Sequence, residues 1–466
     1  MSETYPELTC YVPKLLDVTK LPDYMKRHHW KYQWVVHTIL LSHLRTKSKF
    51  DAPVSLQSEI LKKLLGDHFY WKILKSLIEG KIIKRTNYRA GEHAYRYKLN
   101  KHILLGGIEK ISVERSTIRR KVYMHRANSL NDILKDPVQK HEFYNLSLVE
   151  IDVEEAIEYI DNNYKKGTPQ HTARTISVWE VDKMKNTSLA NEMVKIDWMF
   201  KIDRSGRWHT PISHLASDLR QFLKSFDGER LVEIDQACSQ LTYMHKYLLE
   251  HLQGKVAKMH HIGEEELLDT TKDDHTLDLN LDRFASLGNP SISSYVVQID
   301  MQWRDAIFSG NAYKLLMDGL QWKGTRDEFK EKFFAELFYN QYRDKLTRME
   351  DAFKHYFPHE FIRLRKAKRA LGNRELAVQV QRMESRFWHR WIGSMMKKQF
   401  YDITYATIHD SMLVPESRVH DIMLSIVDHA TRYFNPTETD QPIVPTFRIK
   451  SWVPDNAQTD MESCTM

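Results

Sequence analysis

The stretch Ile403–Glu416, ITYATIHDSMLVPE, constrains this chain more than any other. Tyr405-Ala-Thr-Ile408 and Met412-Leu-Val-Pro415 are β-branched and apolar runs, which favour strands. Between them, His409-Asp410-Ser411 has the polar chemistry of a hairpin tip. The reading is a tight hairpin that raises a carboxylate, Asp410, between buried strands. An Asp in such a turn is more often a turn former, but rigid placement is also what a metal ligand requires.

A second stretch gives the first a partner. Leu231-Val-Glu-Ile-Asp235 reads as a strand ending in a carboxylate, followed by Gln236-Ala-Cys-Ser-Gln240 and the apolar helix Leu241–Leu249. If the strands are neighbours in one sheet, Asp235 and Asp410 bracket a pair of Mg²⁺ ions. Such ions lie about 3.5–4 Å apart in phosphoryl-transfer sites.

Length and charge bound the rest. A chain of 466 residues has room for two or three domains. The net charge of +7 is a mild bias toward a polyanion, since 62 acidic residues accompany 69 basic ones. Cys10, Cys238 and Cys464 form no CxxC pair, which disfavours a disulfide framework or a cysteine zinc site. No apolar run approaches the ~18 residues of a membrane span, and MSETYPE is not a signal peptide. The expectation is a cytoplasmic protein with no membrane partner.

Along the chain, Lys31–Leu44 carries apolar residues at helical spacing. Ser55 reads as the cap of a helix ending at Gly66, and a second helix spans His68–Glu79. Lys81–Arg85 and Ala94–Leu99 then read as strands around the basic turn Tyr88–Gly91. This order resembles the winged-helix domains of replication proteins. The resemblance implies that Lys72, Lys75, Lys84, Arg85, Arg89 and Arg96 face nucleic acid. A protein-docking module with solvated lysines is the alternative. Residues 1–105 are therefore read as a winged-helix unit, 106–200 as a helical connector or reduced thumb, and 201–453 as the core, with 454–466 a polar tail. Arg115, Arg119, Arg120, Lys121 and Arg126 make a basic stretch, and Val153–Tyr164 an amphipathic helix. The acidic residues of 264–282 read as a solvated insertion. Arg365, Lys366, Lys368, Arg369 and Arg374 fit either a helix tracking a duplex or an exposed face.

DQACSQLTYM and TIHDSMLVP resemble motifs A and C of the family A DNA polymerases and the related single-subunit phage-type RNA polymerases. Arg326–Phe338 resembles their motif B, and Gly206-Arg207 and Arg220 resemble basic elements upstream of motif A. The likeness covers roughly 200–450 and rests on the motifs occurring in order. It implies an α+β, right-hand polymerase with palm and fingers and a small antiparallel palm sheet, preceded here by the winged helix. It further implies a template-directed nucleotidyltransferase acting on template–primer and nucleoside triphosphates with two Mg²⁺ ions, or Mn²⁺. Asp235 and Asp410 would carry both metals, with the Gln236 carbonyl as a further ligand, and His409 would brace the primer end. Arg326 and Lys330 would bind the triphosphate, Lys330 also supplying a proton to the leaving group. Phe334 and Phe338 would pack on its sugar and base. These residues are spaced by four and share a helical face, although aromatics at that spacing are usually core packing. Arg207, Arg220 and Gln381 would contact the template–primer.

Sugar choice departs from either branch. Where the RNA polymerases have glycine and the DNA branch a glutamate, this chain has Gln240; where both commonly have tyrosine, it has Phe338. Both departures favour deoxynucleotides, with Gln240 as a steric gate. Pairing Ser239-Gln240 with the DNA branch's serine-glutamine would shift that gate by two residues. The span from Lys330 to Asp410 is short, which implies pared-down fingers. The expected function is a compact DNA polymerase without a proofreading exonuclease, of a phage or mobile element in a bacterial host cytoplasm. The N-terminal unit is a possible dock for replication proteins. The alternatives are an RNA polymerase or primase, a non-catalytic replication initiator, and a nuclease built on paired carboxylates.

Overall fold

The computed structural model describes residues 8–22, 24–45, 52–56, 58–86, 95–113, 116–186, 198, 200–259, 302–339, 345–435 and 444–450. It is a helix-rich α+β chain with small antiparallel sheets.

β1 (Leu8–Pro13) leads into the helix His29–Arg45, which buries Trp34, Val35, Ile39 and Leu40 at the spacing expected. β2 (Val54–Ser55), the helices Ser58–Leu65 and Asp67–Glu79, β3 (Ile83–Arg85) and β4 (Arg96–Leu99) follow, and the strands pair in the order β2-β4-β3. Gly66, at φ +89°, makes the sharp turn between the helices, a conformation open to glycine at little cost. Ser55 does not cap a helix as expected. It pairs with Arg96, because the neighbouring Val54 is buried opposite Tyr97, and the helix starts only at Ser58. The turn at 88–91, with Arg89, lies outside the described residues. β5 (Ile108–Val113) returns to pair with β1, so this core runs past residue 105 and takes in Ile118, Val122 and Ile176.

The middle of the chain is helical because its starts are capped. Asp136, Asp152 and Thr168 accept hydrogen bonds from the first-turn N–H groups of the helices Pro137–Leu146, Val153–Asn163 and Pro169–Asp182. β6 (Val149–Ile151) precedes the second of these. β7 (Lys201–Ile202) and β8 (Trp208–His209) form a small hairpin, and β9 (Leu223–Ser225) pairs with β6. A core from Leu130 to Leu223 also includes Ala406, Ile408 and Leu413, so this region packs on the hairpin strands.

The largest sheet positions the acids. β10 (Leu231–Gln236), β11 (Ala406–Ile408), β12 (Ser411–Pro415) and β13 (Phe447–Lys450) pair antiparallel in the order β11-β12-β10-β13. β10 and β12 are central, and helices cover them, which explains their continuous apolar runs. β12 begins one residue earlier than expected, which leaves His409-Asp410 as the tip.

Helix Arg326–Phe334 starts at a capping box in which Thr325 and Glu328 exchange hydrogen bonds. It continues as a π turn at Ala335–Tyr339, where sequence spacing suggests unbroken α-helix. Within that turn the Leu337 carbonyl accepts from the Lys368 ammonium at 2.6 Å. Lys368 is buried, and burial lowers its pKa. It faces inward and so leaves the set of expected duplex-facing cations, in which Lys366, Arg369 and Arg374 remain exposed. The insertion at 264–282 lies outside the described residues. Among the described residues no helix is long and apolar enough to cross a membrane.

Candidate active site

β10 and β12 bring the acid-bearing segments together. Asp235 stands opposite Ser411 in the ladder, next to Asp410 at the tip. The N–H of Gln236 donates to the Asp410 carbonyl at 3.2 Å. His409, next to Asp410, and Cys238, three residues after Asp235, lie in the left-handed region at φ +53° and +52°. Such backbone costs an L-residue about 1–2 kcal/mol. Here it sets the tight tip and the turn into helix Ser239–Met259.

The electrostatics show crowding. Burial, then Glu384 and Asp235, push Asp410 up to about 7 against the opposing pull of Arg207. Asp235 is also raised, by burial first and with Glu233 adding; Lys450 and Lys330 oppose it. Its Oδ1 is 2.9 Å from the Lys450 ammonium. Glu233, two residues back on the same face, behaves oppositely. Burial would raise it, but Arg220 at 2.7 Å and then Lys450 outweigh that and hold its pKa low.

The remaining expected residues fall as follows. Arg326 and Lys330 lie over the Tyr313 ring at 5.8 and 5.5 Å, and Phe334 touches the same ring at 6.3 Å. Phe334 in turn contacts Phe338 at 5.4 Å, so the four share a side of the helix across the π turn. Lys330 is close enough for Asp235 to feel its charge. Phe338 is only 3 % exposed and belongs to the core, whereas Phe334 is partly exposed. Gln240 is half-buried in the first turn after Ser239, and Gln381 is half-buried on helix Asn373–Arg386. The Gln236 side chain turns into the core, where it accepts from the Tyr243 hydroxyl at 2.9 Å; only its main chain faces the acids' ladder.

Arg207 and Arg220 are engaged within the protein. Arg207 pairs with buried Glu384, its Nε donating at 3.0 Å, and Ser239 donates to the other oxygen at 2.7 Å. Gly206, at φ +82°, turns the β7–β8 hairpin that presents Arg207. Asp203 organises that turn by accepting from the N–H groups of Ser205 and Arg207. Asp203 also meets His209 at 3.0 Å, and these bonds outweigh burial and hold its carboxyl well below the usual range. His209 then meets His409 edge-on at 5.6 Å, which links the hairpin to the acid tip.

Glu384 and Lys450 were missed from the sequence. Nothing in Gln379–Ser385 marks Glu384 as buried. The alternation Phe447-Arg-Ile-Lys450 is a strand signature that does place Lys450 on one face.

Among the described residues no three of His, Cys, Asp and Glu are grouped to hold a metal. The donor set is the Asp235–Asp410 pair with nearby main chain. It fits a divalent cation in charge, because two acidic side chains, both raised chiefly by burial, stand together and the Lys450 ammonium already lies against one of them.

No family model matches this sequence, and no curated protein is a match. Among solved structures, the POL domain of Pol1 from M. smegmatis, in complex with DNA primer-template and dNTP, is similar with a TM-score of 0.32 and 12% identity. That likeness covers 89% of this chain and 81% of that one, and at this TM-score it does not identify the family.

Proposed function

We propose that this chain is a template-directed nucleotidyltransferase, a DNA polymerase of the family A type. The observation that carries the reading is the placement of Asp235, at the end of β10, beside the Asp410 tip that precedes β12, joined by the Gln236 N–H bond to the Asp410 carbonyl. Polymerisation joins a primer 3′-hydroxyl to the α-phosphate of a nucleotide and releases pyrophosphate. It needs alignment and charge neutralisation more than covalent catalysis.

Asp235, Asp410 and the Gln236 main chain would hold Mg²⁺, or Mn²⁺. When bound, the metal supplies positive charge to the attacking and leaving oxygens. Arg326 and Lys330 bind the triphosphate, and Lys330 donates a proton toward the leaving group. Phe334 packs on the nucleotide, while Phe338, from the core, supports it. Gln240 crowds the sugar's 2′ position. Arg207 acts by holding Glu384 and the hairpin rather than by gripping template, and His409 braces the primer end.

We also infer a winged-helix role for the N-terminal unit. Exposed Lys72, Lys75, Lys84, Arg85 and Arg96 support contact with phosphates. The whole would suit a phage or mobile element.

Labelled ribo- and deoxynucleotides offered on primed and unprimed templates test the reading. Deoxynucleotide addition to the primer is expected. Ribonucleotide chains on the unprimed template would favour an RNA polymerase or primase, and duplex binding without synthesis an initiator.

A further inference from the structure

We propose that Lys450 is a built-in counter-cation for Asp235, which a divalent cation must displace to bind there. This rests on the reading of Asp235 and Asp410 as metal ligands and adds a determinant that lies outside the motifs.

The geometry singles out Lys450. It ends β13 opposite Glu233, and its ammonium reaches both Asp235 Oδ1 at 2.9 Å and Glu233 Oε1 at 3.4 Å. Glu233 keeps a second and closer cation, because Arg220 holds its other oxygen at 2.7 Å. Arg448, opposite Asp235 in the ladder, is no substitute. Its guanidinium lies against Gly310, where an added Cβ would meet Nη2 at 3.1 Å.

An ammonium and a divalent cation on one carboxylate compete for the same lone pairs and repel each other. The Lys450 side chain is 45% exposed, so it can swing into water without burying a bare charge. The metal-free pair is thereby kept from full mutual repulsion, and metal affinity is set below what the two carboxylates alone would give.

The test is Mn²⁺ titration of the full chain without nucleotide or DNA, with free Mn²⁺ read by electron paramagnetic resonance. Wild type is compared with Lys450→Met, Lys450→Arg, Asp235→Asn and Asp410→Asn; Lys450→Gln replaces the methionine variant if that one does not fold. Lys450→Met is expected to bind Mn²⁺ about fivefold to tenfold more tightly, and Lys450→Arg to stay near wild type. If either aspartate variant loses the site but Lys450→Met binds no more tightly than wild type, the counter-cation role is overturned and the metal reading stands. If no binding in any variant depends on Asp235 or Asp410, the metal reading itself fails and takes this inference with it.

Discussion

The Gln236 N–H donates to the Asp410 carbonyl at 3.2 Å, which joins the end of β10, the strand bearing Asp235, to the tip of the β11–β12 hairpin. The two acids are far apart in sequence, so this contact brings two local signals together into one candidate site. Its rigidity depends on apolar strands buried on both faces rather than on the acids, which repel.

Gln240→Gly tests the sugar gate. Removing the half-buried amide opens room at the 2′ position. Ribonucleotide incorporation relative to deoxynucleotide, from single-nucleotide addition rates, should rise on the order of 10–200-fold, the scale of steric discrimination in a pocket. An unchanged ratio removes Gln240 from this role.

Lys330→Ala tests the proposed role of the helix Arg326–Phe334. Its ammonium faces Tyr313 and is felt at Asp235, so its loss should slow nucleotide addition about 10²–10⁴-fold, as for a general acid. Thermal stability should change little, because the side chain is only partly buried. A large melting shift with an intact rate would make Lys330 a structural cation.

The Arg207–Glu384 pair is a buried unit, with side chains 14% and 1% exposed. Glu384→Gln or Arg207→Met alone should cost about 3–5 kcal/mol, because each leaves an unmatched buried charge. The double variant should cost less than the sum, as a denaturant-melt cycle would show. Additive losses would mean that the two groups do not act together.

Asp203 gives a pH signature. Its folded pKa is depressed, so its stabilisation is present above the unfolded value near 4 and is lost as pH falls through the folded one. Asp203→Asn should cost about 1–2 kcal/mol at pH 7, and the gap to wild type should close at strongly acid pH. A gap that persists there would show that the side chain's shape, not its charge, holds the Gly206 turn.

The strands and the turn that carry the candidate site are legible because strand chemistry and turn chemistry are local. The β-branched runs around His409-Asp410, the Val-Glu-Ile-Asp strand and the spacing of Arg326, Lys330 and Phe334 each carry their own signal. What stayed hidden depends on long-range packing. Lys368 looks like another surface cation until the fold buries it against the Leu337 carbonyl. Glu384 looks like a helix-surface acid until Arg207 and Ser239 meet it. Phe338 is aromatic at the right spacing, but only the fold shows that its ring is in the core. Ser55 had cap chemistry, and strand pairing of its neighbour overrode it.

The central claim is that Asp235 and Asp410 act as one unit in nucleotide joining. Single-turnover primer extension with Mg²⁺, comparing wild type, Asp235→Asn, Asp410→Asn and the double variant, addresses it most directly. Each single variant should lose at least about 10³-fold in rate, and the double little more, since groups acting as a unit are non-additive. Wild-type extension by either single variant would contradict the account.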